Sequence, residues 1–153
     1  MSMVNLDRLF GLDNKVAVIT GGGGVLCGTL SRALAEVGVK VAVLDIVPAA
    51  AEGVVEDIRE RGGEASAVTC DVLDKVSVQA AAETVLKAYG RVDILINGAG
   101  GNKRQATTSL DMSFFDLPAD AVQWVFNLNF IGTLLPAQVF GKVMADQEER
   151  VIL

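Results

Sequence analysis

Short apolar runs alternate with longer stretches of mixed polarity along almost the whole chain. The runs at residues 15–20, 39–44 and 92–96 are nearly continuous Val, Ile, Leu and Ala, and a less apolar run spans 64–70. Runs of that length, bounded by Gly and Asp, predict strands buried on both faces. The intervening stretches predict helices over 25–37, 48–61 and from Asp74 to about Tyr89. Gly38 is a natural stop for the first. Pro48 opens the second, and Gly62-Gly63 follows it. Asp74 caps the third, which Gly90 ends. A long polar loop over 98–116 follows, then a helical region over 118–146 that Pro136 is expected to kink. Val151-Ile152-Leu153 has the composition of a fifth strand beginning.

Strand and helix in strict alternation predict an α/β fold. It is a Rossmann-like, doubly wound parallel sheet with right-handed crossovers and strand order 3-2-1-4-5. One domain is expected over 1–153, incomplete at its C-terminus.

The 153 residues carry a net charge of −6, and no basic stretch exceeds Lys103-Arg104, which argues against a nucleic-acid surface. No apolar run approaches the ~20 residues of a membrane span. Cys27 and Cys70 have neither CxxC nor metal-ligand spacing, so reduced thiols, a cytoplasmic location and no metal site are expected. The chain has no histidine, which removes Ser-His-Asp and Cys-His catalysis from these residues.

The first strand leads into Thr20-Gly21-Gly22-Gly23-Gly24-Val25-Leu26-Cys27-Gly28. A pyrophosphate needs bare backbone N–H groups at a helix N-terminus, where the dipole also favours an anion. Glycines between an apolar strand and a helix supply that approach; the bland alternative is a flexible turn. Gly21, Gly23 and Gly24, with Val25 and Leu26 opening the helix, are the candidates. Asp45 closes the second strand 17 residues after Gly28, near the ~20 expected of an acid that binds the adenosine ribose. With Ile46 beside it and no Arg or Lys near, it points to NAD rather than NADP. Its other reading is a solvated strand end or a helix cap.

With these residues in place, the chain resembles the short-chain dehydrogenase/reductase family over its whole length. Thr20-Gly21 begins that family's T-G-x-x-x-G-x-G turn. Val25 and Cys27 stand where its second and third glycines are expected, so the glycine facing the phosphate stays open. Cys27, near a helix N-terminus, is either a reactive thiol or a small buried residue. Asp71, followed by Val72, matches the acid that holds the adenine; a turn cap is the alternative. Asn97-Gly98-Ala99-Gly100 resembles N-N-A-G, with Gly98 replacing the second Asn. Asn129 matches the helix asparagine of the catalytic tetrad, and is expected to be buried. Its other reading is one polar residue on an apolar helix.

The resemblance implies an NAD-dependent oxidoreductase that interconverts a secondary alcohol and a ketone. The family's serine after strand five and its Y-x-x-x-K pair are not in these residues: Tyr89 is the only tyrosine, and Asp93 lies four residues on. The chain is therefore expected to stop before the catalytic residues, to bind NAD weakly or not at all alone, and not to catalyse. A catalytically inert NAD-binding or redox-sensing module and an inactive fragment are the alternatives. The loop holding Asn102, Lys103 and Arg104, with Phe114-Phe115-Asp116-Leu117, resembles that of sugar-acid members, which implies a small-molecule substrate such as a sugar acid or polyol. Lys103 and Arg104 either meet a substrate carboxylate or are solvated. Residues 122–144 are apolar nearly all round, so burial on more than one side is expected. A partner subunit, in a homodimer or homotetramer, or further sequence of the same protein would cover the second side.

Overall fold

In the computed structural model, which describes residues 11–147, four strands form one parallel sheet: β1 (Val16–Thr20), β2 (Lys40–Asp45), β3 (Ala65–Thr69) and β4 (Ile94–Asn97). Their order is β3-β2-β1-β4. This matches the expectation for the first four strands. Residues 151–153, expected to begin a fifth, lie outside the described residues.

Five helices carry the connections: α1 (Val25–Glu36), α2 (Pro48–Glu60), α3 (Lys75–Tyr89), α4 (Ala119–Phe126) and α5 (Gly132–Asp146). The apolar strands are explained by what lies on either face. Val16 and Val18 of β1 pack with Val78 and Val85 of α3 and Phe140 of α5. Ala17 and Ile19 point the other way, to Val54 and Ile58 of α2 and Ala35 of α1. A strand covered on both sides cannot alternate polar and apolar, so every residue of β1 is buried. Each fully buried Ile, Val or Phe contributes about 1.5–3 kcal/mol of transfer free energy.

The helix ends follow the predicted chemistry. Asp74 accepts a hydrogen bond from the Val76 N–H at 2.9 Å, capping α3, and Gly90 ends it in the left-handed conformation with φ 77°. Gly38, after α1, has φ 84°. Two expectations shift. Val92 and Asp93 precede β4 rather than belonging to it, and Asn97 is its last paired residue, opposite Thr20. Asn127–Ile131 forms a π-helical turn between α4 and α5, which the sequence pattern does not anticipate, and Pro136 lies inside α5.

The loop after β4 is not featureless. It contains 3-10 turns at Arg104–Ala106 and Phe114–Asp116 and a bridge between Ser109 and Met112. Within this chain, one side of residues 122–144 is covered. Gly132, Pro136, Phe140 and Met144, four apart, face the core. Val122, Trp124, Phe126, Phe130 and Leu134 are exposed, with Phe126 and Phe130 stacked at 5.1 Å.

Candidate functional site: a cavity at the carboxyl ends of the strands

β1 delivers the chain into the glycine turn with Thr20 fully buried. Gly21 follows with φ 63°, and a Cβ there would lie 2.8 Å from the Ala99 Cα. Both facts require glycine. Gly24 is the N-cap of α1; it supplies no side-chain acceptor, and no acidic residue occupies the first turn. The opening N–H groups of α1 are therefore without a side-chain cap, the arrangement that favours an anion. α1 begins at Val25, which is exposed with Leu26.

Asp45 ends β2 with its carboxylate held from two sides. Its Oδ2 accepts from the Gly23 N–H and its Oδ1 from the Val47 N–H, both at 3.0 Å. The Gly23 N–H is thus engaged by the acid, and Gly23 does not line the cavity. Asp71, after β3, is braced likewise: its Oδ1 accepts from the Leu73 N–H at 2.9 Å, and its own N–H donates to Ser77 Oγ.

After β4, the loop is tied back to β1. Thr20 Oγ1 accepts from the Gly98 N–H at 3.1 Å and the Ala99 N–H at 3.2 Å. Between these parts lies a cavity of about 660 Å³, lined by Gly21, Gly24, Val25, Leu26, Asp45, Ile46, Asp71, Val72, Gly98, Ala99 and Gly100. Eleven of the fourteen sequence candidates are brought together there, leaving Gly23, Asn97 and Asn129 off its wall. Asn97 has a buried Oδ1 with no hydrogen-bond partner among the described residues.

Asn129 differs from expectation. It is exposed, in the π-helical turn, and its amide is occupied by backbone. Nδ2 donates to the carbonyls of Gly101 and Val125, both at 2.7 Å, and Oδ1 accepts from the Gly101 N–H at 3.2 Å. The side chain clamps the β4 loop to the helix, so its geometry here is that of a brace.

Sequence reasoning missed Cys27, Cys70, Leu73, Trp124 and Leu128 as cavity walls. Trp124 and Leu128 are four residues apart, a helical spacing that signals a shared face. Lys103 places its ammonium 4.2 Å from the centroid of the Trp124 ring. Thr20 also went unassigned, although it is the hydroxyl that joins turn to loop.

The thiols and the phenol are held neutral. Burial, then the nearby Asp45 carboxylate, pushes the Cys27 thiol up, which decides against a reactive thiolate. Tyr89 is likewise raised, chiefly by burial. Cys70 is pushed up to about 11, chiefly by burial. An acid whose pKa is raised on folding contributes stability below its unfolded value near 9 and loses it as pH rises toward 11. The protein should therefore lose stability between pH 9 and 11, and Cys70→Ala should flatten that slope. Urea unfolding across the range tests it; equal slopes in both proteins would show that Cys70 is not the group responsible.

Among the described residues no group of three His, Cys, Asp or Glu is placed to hold a metal, and no helix is long and apolar enough to cross a membrane.

Known proteins place this geometry in context. An uncharacterized oxidoreductase, UxuB, of Bacillus subtilis is 43% identical over 150 residues, covering 93% of this chain and 54% of its own length. The D-threitol dehydrogenase of Mycolicibacterium smegmatis is 32% identical over 143 residues, covering 94% and 52%. A crystal structure from Haemophilus influenza with bound NAD, whose name as a D-mannonate oxidoreductase is provisional, is 38% identical with TM-score 0.83, covering 94% of this chain and 55% of that one. The chain spans about half the length of the curated relatives it matches. The short chain dehydrogenase family matches residues 15–153, a stretch that contains the sheet, the glycine turn and the cavity. The chain belongs to the short-chain dehydrogenase family.

Proposed function

We propose that the cavity binds NAD and that the protein is an oxidoreductase interconverting a secondary alcohol and a ketone. The observation that carries this is the cavity itself. Uncapped N–H groups of α1 stand on one side, the braced carboxylate of Asp45 beyond them, and Asp71-Val72 and Ala99-Gly100 complete the wall. These suit, in turn, a pyrophosphate, a ribose diol and an adenine. When bound, the nicotinamide supplies the hydride exchange; the residues here hold the dinucleotide and exclude water from one side of it. The bound NAD of the Haemophilus structure supports the same reading.

The 153 residues contain no Y-x-x-x-K pair. We assign them the binding half of the task, with the proton-transfer groups supplied from outside them. The segment alone should give no hydride-transfer rate.

The substrate reading is a sugar acid or polyol, D-mannonate or fructuronate in character. The names of the Haemophilus and Mycolicibacterium proteins support it, and so does Lys103. Asn102 Oδ1 accepts from the Lys103 N–H, and the Lys103 carbonyl accepts from Ala106 N–H and Thr107 Oγ1. The loop thus fixes a cation over an indole that lines the cavity. An ammonium so placed suits a substrate carboxylate. In the protein carrying this segment with its catalytic residues, Lys103→Met should raise KM for a keto-sugar acid about tenfold and leave a neutral polyol unchanged. Equal effects on both would remove Lys103 from substrate recognition. Turnover of steroids alone would remove the sugar-acid reading.

A further inference from the structure

The glycine turn and the β4 loop each depart from the family pattern, and the two departures meet in space. Cys27 stands where the third motif glycine is expected, and Gly98 where the second asparagine of N-N-A-G is expected. A Cβ built on Gly98 would lie 2.1 Å from the Cys27 sulfur and 2.9 Å from the Thr20 carbonyl oxygen. The thiol therefore fills the volume that a side chain at position 98 would need. Cys27 is half-buried and packs with Ile94 and Ile96 of β4 against the same core cluster. On a helix its side chain has few rotamers to which it can retreat.

The contact lies at a functional seam. Thr20 Oγ1 holds the Gly98 and Ala99 N–H groups, and Gly21 abuts Ala99, so turn and loop form one continuous wall of the cavity. The Cys27–Gly98 contact fills the space between them on the cavity side.

We propose that Cys27 is a positioning residue for the dinucleotide and forms an exchanged pair with Gly98: the side chain that the family pattern puts on the loop is carried by the helix instead. The pair sets the distance between the first turn of α1, which takes the pyrophosphate, and Ala99-Gly100 across the cavity. This rests on the NAD reading above.

A double-variant cycle tests it, with NAD dissociation constants and melting temperatures measured on the full protein. Gly98→Asn should weaken NAD binding more than about tenfold and Cys27→Gly by about threefold. The C27G/G98N combination should bind NAD several-fold more tightly than G98N alone, with the Thr20 carbonyl contact keeping it short of full recovery. Should G98N fail to fold, G98A and C27G/G98A complete the same cycle. Binding is measured well below each melting temperature, so a purely structural pair would shift melting while leaving affinity in place, and that result overturns the proposal. Additive losses in the combined variant overturn it as well. A parent protein that binds no NAD overturns the cofactor reading instead, and is recognised before any variant is made.

Discussion

Replacing Asp45 by asparagine will lower the preference for NAD over NADP by about a hundredfold, or about 2.8 kcal/mol. The argument begins with the two hydrogen bonds that orient the carboxylate. Gly23 and Val47 both present N–H donors to it at 3.0 Å. A carboxylate can accept both and still offer lone pairs to two ribose hydroxyls. An amide has one oxygen, so in either orientation its NH₂ group must face one of the two protein N–H donors. That costs about one hydrogen bond, roughly 1 kcal/mol of NAD affinity.

The larger part is electrostatic. A 2′-phosphate beside Asp45 would bring like charges to within a few ångströms. At an effective dielectric of ~20 that repulsion is on the order of 4 kcal/mol at 4 Å, and removing the charge releases much of it. No Lys or Arg follows Asp45 until Arg59, so nothing in the local sequence offsets the repulsion. NAD binding should weaken about fivefold and NADP binding strengthen about twentyfold. Paired titrations of both dinucleotides read this directly. A ratio unchanged by D45N would sink the assignment of Asp45 to the ribose.

The parts of this fold that sequence reveals are those whose cause is local or periodic. β1 and β2 are legible because a strand covered on both faces must be apolar at every position. Gly38, Pro48, Asp74 and Gly90 mark helix ends because each has a backbone chemistry that needs no tertiary context. Asp45 stands out by its spacing from the glycine turn for the same reason, and the fold places it on the cavity wall. What stayed hidden depends on contacts between distant segments. Gly23 looks like a phosphate ligand until its N–H is seen to point at a carboxylate 22 residues away. Asn129 looks buried because its neighbours are apolar, yet the π-helical turn presents it to the Gly101 backbone at the surface. The ladder widens at Asn127–Ile131 with no proline or glycine in those five residues to announce it. Cys27 and Gly98 each read as a defect in a motif, and only their proximity makes them one feature.

Asp93 shows the same limit at the opposite end of the sheet, and it carries the largest expected stability effect. It lies just before β4 and is 1% exposed. Its Oδ2 accepts from the Val16 N–H at 2.9 Å, which joins the start of β1 to the chain entering β4. Arg91 donates to both carboxylate oxygens, and the Lys15 ammonium stands 3.7 Å away. Asp93→Ala deletes the acceptor of a buried N–H and removes the carboxylate that Arg91 and Lys15 both face. Loss of one partner from a buried ion pair costs about 3–5 kcal/mol. Lys15 and Arg91 are each about one-third exposed, so water recovers part of their solvation. The expected loss is therefore near the lower bound, about 3 kcal/mol. Asp93→Asn keeps an acceptor for Val16 and should lose about half as much. Urea unfolding should show the midpoint falling with an unchanged slope, since the surface exposed on unfolding stays the same. The site lies at the carboxyl ends of the strands and Asp93 at their start, so D93A should leave the NAD-to-NADP ratio untouched while D45N leaves the urea midpoint nearly so. A loss under about 1 kcal/mol in D93A would mean that water replaces the carboxylate at Val16, and that Asp93 is no keystone of the β1–β4 junction.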